Sequence, residues 1–283
     1  MAAYRPCARL NSRPSKRIWL KMAAHYAFLH GGGQGGWVWE DTIAALRRQS
    51  GGRCGQVLAL DAPGCGAKRG RDTSGLCIDD IASELIAELE DAGMVDVILV
   101  GHSQAGTMLP RLAEMRPGLF RRLIYVSCCA PLPGQTIPQM IGKGQHGSHP
   151  EEVGWPLDPA QHPHQEQYRH MFCNDMGEDQ AARFLAKLGR DRWPDQTMMA
   201  SDWRYDHLTN IPSTFVLCLR DGILTPPWQE KFAHRLHTRR TVRIDAGHQV
   251  MNTQPHALAE SLWHEAARDL LARLDARPAE SEE

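Results

Sequence analysis

Val95-Asp-Val-Ile-Leu-Val100 runs directly into Gly101-His-Ser-Gln-Ala-Gly106. The β-branched apolar run predicts a buried parallel strand, and residues 104–115 carry a helical pattern after it. A serine at such a strand-to-helix turn projects its hydroxyl from the end of the sheet. The N–H of the next residue, Gln104, then points into the same space, beside the positive end of a helix. Ser103 is thus a candidate nucleophile, and Gln104 N–H a candidate oxyanion donor. One position departs from G-x-S-x-G: Ala105 stands where a glycine would let helix and strand pack closely. From these residues alone, an ordinary capped turn reads the same way.

Outward from this stretch, further strands are expected at 25–30, 56–60, 122–127, 214–219 and 241–245, with helices at 76–92, 227–236 and 253–274. Six strands alternating with helices predict an α/β fold with a doubly wound, mostly parallel sheet. The alternation breaks after Ala130. Residues 131–210 are rich in proline and histidine, with short helical patterns at 165–172 and 178–189. They read as an inserted, mainly helical cap over the strand C-termini, where such sheets bind ligands. The expected layout is a basic leader (1–22), a core (23–130 and 211–276), a cap (131–210) and an acidic tail (277–283).

The 283 residues, 42% hydrophobic, suffice for one large α/β core. The net charge of −1 conceals an asymmetry. Six basic residues, Arg5 to Lys21, precede the first acid, Glu40, so the body from residue 23 has 26 basic against 33 acidic residues. An acidic body without a dense basic stripe argues against nucleic acid as a partner. The leader reads as an upstream extension, with the working protein starting near Met22, or as an organelle transit peptide. No run of 18 apolar residues occurs, so no membrane span is expected, and a cytoplasmic protein follows unless the leader targets it. A homodimer is compatible with this composition. The eight cysteines lack C-x-x-C spacing and read as reduced small hydrophobes. His146, His149, His162, His164 and His170 are broken up by prolines, and no metal site is expected from them.

A serine hydroxyl needs a base to take its proton, and the base needs a third group to fix its tautomer. In this architecture serine, acid and histidine follow in that order, each in a loop after a strand. Of the 14 histidines, His248 lies in the last strand's exit, Asp245-Ala-Gly-His, just before the closing helix. Asp221, in Leu219-Arg-Asp-Gly-Ile223, is the candidate acid. Asp245 is too near His248 in sequence to orient it, Asp202 and Asp206 fall in the cap, and the exit at Ser127-Cys-Cys-Ala130 offers no carboxylate. A second oxyanion N–H is expected from the glycine run after His30, at Gly32 or else Gly33, because glycine backbone can approach a substrate unhindered. No G-K-[ST] follows that run, so it is not a phosphate loop, and no cofactor is expected. The expected substrate pocket takes in Gly31, Gly33, Trp37, Cys129, Met171, Phe172, Trp203 and Gln249. Cap aromatics such as Trp155, Tyr168 and Trp193 could line it too, or fasten the cap to the sheet.

Over about residues 25–275 the chain resembles the α/β-hydrolase superfamily, and within it the branch of plant methylesterases, hydroxynitrile lyases and bacterial esterases. The resemblance rests on His30-Gly-x5-Trp37, Leu60-Asp-x-Pro-Gly64, Gly101-His-Ser103, Cys218-x2-Asp221, and Gly247-His248 with Met251. It implies Ser103 as nucleophile, Asp221 as acid, His248 as base, and Gly32 and Gln104 as oxyanion donors. Hydroxynitrile lyases carry threonine after the first motif's histidine and lysine after the catalytic histidine, where this chain has Gly31 and Gln249. The expected function is therefore hydrolysis of a small, largely apolar carboxylic ester through an acyl-Ser103 intermediate. A lactone, amide or C–C bond hydrolase with the same triad, or a small-molecule receptor retaining it, are the alternatives.

Overall fold

The structure, a computed structural model, describes residues 24–275. The leader expected at 1–22 and the tail at 277–283 lie outside the described residues. Six strands, β1 (Ala24–Leu29), β2 (Cys54–Leu60), β3 (Val97–His102), β4 (Phe120–Val126), β5 (Ser213–Cys218) and β6 (Arg240–Ile244), form one sheet. Their order is β2-β1-β3-β4-β5-β6, and every pairing is parallel. β3, β4 and β5 are buried throughout, hence their apolar runs, whereas the edge strand β6 alternates in exposure. β3 starts two residues later than the apolar run suggests, because Val95 is exposed and Asp96 turns at φ +55. It extends through His102 because Gly101 and His102 pair with Tyr125 and Val126 of β4.

Helix α1 (Glu40–Gln49) links β1 to β2, and α2 (Ile78–Asp91) links β2 to β3. These two connections cross the sheet in opposite directions, so right-handed crossovers put α1 and α2 on opposite faces. α2 buries Ile78, Ile81, Leu85 and Leu89, the stripe expected from spacings of three and four. α3 (Ala105–Met115) follows β3 and packs on α2. After β4 the chain leaves the sheet through α4 (Ile137–Ile141), α5 (His164–Phe172), α6 (Glu178–Leu185) and α7 (Gln196–Met199) before returning as β5. Two of these helices were not expected, since four or five residues are too few to show a 3.6-residue period. α8 (Pro226–Arg235) joins β5 to β6, and α9 (Val250–Thr253) and α10 (Pro255–Asp275) follow, with α10 packed on α1.

Buried Arg122 of β4 ties the sheet to α10, through Asp269 (Nε–Oδ2 2.9 Å, Nη2–Oδ1 2.5 Å) and Glu265 (3.1 Å). Among the described residues, no helix is long and apolar enough to cross a membrane, and no three His, Cys, Asp or Glu side chains group as a metal site. The strand order reverses between β1 and β3, and such a reversal opens a crevice at the strands' carboxyl ends. The glycine run follows β1 and Ser103 follows β3, so both flank that crevice.

Candidate active site

Ser103 sits at φ +53, a left-handed conformation that costs a non-glycine residue about 1–2 kcal/mol. Backbone hydrogen bonds hold it there. Its N–H donates to Val126 O (3.2 Å), and its carbonyl accepts from Gly106 N–H (3.0 Å) and Cys129 N–H (3.1 Å). Close packing explains the neighbouring glycines. A Cβ on Gly106 would stand 2.2 Å from Cys129 O, and one on Gly101 would stand 2.6 Å from Leu109 Cδ1 and 3.1 Å from Ala105 Cβ. The absent side chain at 101 therefore makes room for the Ala105 methyl, and the motif's departure is absorbed on the strand side.

Gly31 and Gly32 come up against this elbow from β1. A Cβ on Gly31 would meet both Ser103 Cβ and His102 Nδ1 at 2.9 Å, and one on Gly32 would meet Gln104 Oε1 at 2.6 Å. Gly33 turns away at φ +70 against Gly189. His30 supports this loop: its ring nitrogens lie 2.8 Å from Gly31 O (Nδ1) and 3.2 Å from Ala62 N (Nε2). Burial pushes the His30 pKa down, so the ring is neutral. Nε2 must accept from the Ala62 N–H, so Nδ1 carries the proton and donates to Gly31 O.

At the far strand ends, His248 Nδ1 lies 2.7 Å from Asp221 Oδ2, and both side chains are fully buried. A carboxylate only accepts, so the imidazole proton sits on Nδ1 and the Nε2 lone pair is free. Nε2 has no hydrogen-bond partner among the described residues. Asp221 Oδ1 accepts the N–H groups of Ile223 and Leu224, each at 2.8 Å, and Ser127 Oγ donates to Oδ2. His102, adjacent to Ser103, brings the histidine to the elbow: the two rings are 4.5 Å apart, and His102 Nε2 donates to His248 O (3.0 Å). Burial, reinforced by His248, holds the His102 pKa well below the usual imidazole value, so this second ring stays neutral.

Ser103 opens onto a cavity of about 390 Å³ floored by Gly32, Gly33 and Gln104. Its walls are mostly apolar: Ile137, Met140, Phe172, Leu188, Trp193, Met198, Ile223 and Leu224 face it, with Arg192 and Asp195 adding charge. Of the expected pocket residues, Gly33, Cys129 and Phe172 line this cavity. Burial pushes the Cys129 thiol up to about 12, so it is a wall and not a second nucleophile.

Five expected pocket residues lie elsewhere. Gly31 is wedged against His102 and Ser103 behind the cavity floor. Trp37 leans on Phe184 and donates to Asp191 Oδ2 (3.0 Å), facing a neighbouring cleft. Met171 is buried in the core, because Phe172 takes the cavity side of α5. Trp203 donates to Gln135 O (2.7 Å) and lines a separate small cleft. Gln249 is fully buried beside His248 and does not reach the cavity. Ser127, the amides of Ile223 and Leu224, and Gly189 and Thr197 between β4 and β5 were not anticipated in the site. Only Ser127 carried a signal, as a polar residue directly after a buried strand.

A model described as "Alpha/beta hydrolase family" matches residues 27–261. The carbendazim hydrolyzing esterase of Nocardioides sp. (strain SG-4G) is 29% identical over 120 residues, 42% of this chain and 48% of that protein. Methylesterase 18 of Arabidopsis thaliana is 28% identical over 118 residues, 41% of this chain and 43% of that protein. These alignments span less than half the length of either relative. Among solved structures, a pyrethroid hydrolase from Sphingobium faniae JZ-2 superposes with a TM-score of 0.68 at 19% identity. That match covers 87% of this chain and 98% of the other, and it shows a shared fold.

Proposed function

The chain belongs to the alpha/beta hydrolase family, and from that premise we propose that it is a serine hydrolase cleaving a small, largely apolar carboxylic ester. The observation that carries this reading is the buried 2.7 Å contact of His248 Nδ1 with Asp221, beside an elbow whose Ser103 opens onto an apolar cavity. With its proton fixed on Nδ1, His248 presents Nε2 as the base.

His248 Nε2 takes the Ser103 proton as Oγ attacks the ester carbonyl. The carbonyl oxygen becomes an oxyanion facing the N–H groups of Gly32 and Gln104. Collapse expels the alkoxide, which leaves as the alcohol with the proton held by His248. Water then enters and loses a proton to the same nitrogen as it attacks the acyl carbon; the acyl–Oγ bond breaks, the acid leaves, and His248 returns the proton to Ser103 Oγ. One oxyanion donor is worth about 3–4 kcal/mol, so the placement of Gly32 matters as much as the serine itself. The curated relatives named above, an esterase and a methylesterase, support the ester as the bond cleaved. The mostly hydrocarbon walls favour an apolar acyl or alcohol group. Gln249, after His248, is neutral and sealed off, which supports hydrolysis over cyanide chemistry at this site.

The test is turnover of p-nitrophenyl acetate and butyrate together with labelling by a fluorophosphonate. Wild type should turn over and take the label. Ser103→Ala should lose the label and at least about 10⁴-fold in kcat. Activity or labelling retained in Ser103→Ala would overturn the assignment.

A further inference from the structure

We propose that Trp193, on the segment between α6 and α7, is a positioning residue that aims the Gly32 N–H at the reacting carbonyl oxygen. The proposal rests on the serine hydrolase reading above.

The Gly31 carbonyl and the Gly32 N–H belong to one planar peptide unit and point in opposite directions. Whatever holds the carbonyl therefore sets the aim of the N–H. Two groups hold it: His30 Nδ1 at 2.8 Å and Trp193 Nε1 at 3.1 Å. The indole nitrogen is also 3.3 Å from His30 Nδ1, but that atom carries its own proton, so Gly31 O is the indole's acceptor. His30 precedes the peptide and moves with the loop. Trp193, 162 residues away, ties the same plane to a different part of the fold. Hydrogen bonding at the carbonyl also polarises the peptide, which strengthens its N–H as a donor.

The same segment grips the site at two further points. Gly189 N–H donates to Gly33 O (2.9 Å), on the other side of Gly32. Thr197 Oγ1 accepts from the side chain of Gln104 (3.0 Å) and donates to Pro194 O (2.7 Å). Residues 189–197 thus touch the residues flanking one oxyanion donor and the side chain of the other. Asp191 pins this stretch to the core: Oδ1 accepts Gly66 N–H and Arg69 Nε–H (2.8 Å each), and Oδ2 accepts Trp37 Nε1–H (3.0 Å). The segment that lines the substrate cavity on this side thus also supports both oxyanion donors from behind.

The test is Trp193→Phe, which keeps an aromatic ring and removes the N–H, beside the protein carrying benzothienylalanine at 193, where sulfur replaces the N–H in an isosteric ring. Both should lower kcat on p-nitrophenyl butyrate by about tenfold, less than outright loss of an oxyanion donor, with KM within about twofold. Affinity for a boronic acid, whose tetrahedral adduct uses the oxyanion donors, should fall by a similar factor. Trp203→Phe, which removes an indole hydrogen bond to Gln135 O outside the cavity, should leave all three quantities unchanged. A kcat and boronate affinity within about twofold of wild type in the benzothienylalanine protein would overturn the proposal, whether or not Trp193→Phe folds. An inert, unlabelled wild type would instead overturn the hydrolase reading, and this proposal with it.

Discussion

Ser127 Oγ donates to the same Asp221 oxygen that holds His248 Nδ1 at 2.7 Å. The carboxylate therefore has four donors: two backbone N–H groups on Oδ1, and a hydroxyl and an imidazole on Oδ2. Ser127 reaches it from the end of β4 at φ +41, a conformation that few non-glycine residues adopt. Ser127→Ala removes one donor from a buried charge and should destabilise the protein by roughly 1.5–3 kcal/mol, measured by urea unfolding. An unchanged midpoint would show that the other three donors suffice.

Gly31 and Gly32 should differ in their tolerance of a methyl group. On Gly31 the Cβ would press on Ser103 Cβ and on the ring of His102, neither of which can yield without moving the elbow. On Gly32 it meets only the amide tip of Gln104, which can swing away. Gly31→Ala should lower kcat/KM by about 10²-fold, through misplacement of the nucleophile, and Gly32→Ala by nearer tenfold. Steady-state kinetics of the two variants decides the order.

Acid should unfold this protein through its buried imidazoles. Burial holds both His30 and His102 below the usual imidazole pKa, so each stays neutral in the fold and takes up a proton only when released. The unfolded chain binds more protons once pH falls below about 6.5, so stability is full above that value and is lost as pH drops through it. The loss should approach about 1.4 kcal/mol per pH unit for each ring. Urea unfolding between about pH 7 and pH 5 measures it, and removing His30 by substitution with glutamine should flatten the slope.

Arg122 is a buried charge paired across the sheet–helix contact. Arg122→Ala leaves Asp269 inside the protein without its cation, while Glu265 keeps Arg240 (3.1 Å), and should cost about 3–5 kcal/mol. Removing the exposed Arg192–Asp195 pair by Arg192→Ala should leave the unfolding midpoint unchanged. Thermal or urea unfolding compares the two directly.

The fold was legible because its signals are local. Apolar runs marked the strands of a wholly parallel sheet, and their ends shifted by only one or two residues where a turn such as Asp96, or pairing such as His102 with Val126, intervened. Ser103, Asp221 and His248 could be singled out because each follows its strand within a few residues. The pocket was far less legible. Met171 and Phe172 are adjacent and both apolar, yet only Phe172 faces the cavity, and Trp203 and Trp193 look alike in sequence while facing different clefts.

The amino-acid sequence by itself determined where strands and helices fall along the chain and the loop in which each candidate group sits, because strand propensity and turn chemistry act over a handful of neighbours. Only the tertiary structure decided what those loops meet. It set the Ala105 methyl opposite a side-chain-free Gly101, Ser127 against Asp221, and Trp193 against the carbonyl of Gly31. Each of these contacts joins segments whose approach depends on how the helices and loops pack on the sheet, which no local pattern encodes. The turn that carries Ser103 was readable from six residues, whereas the Gly31 carbonyl beside it is held by a side chain 162 residues away.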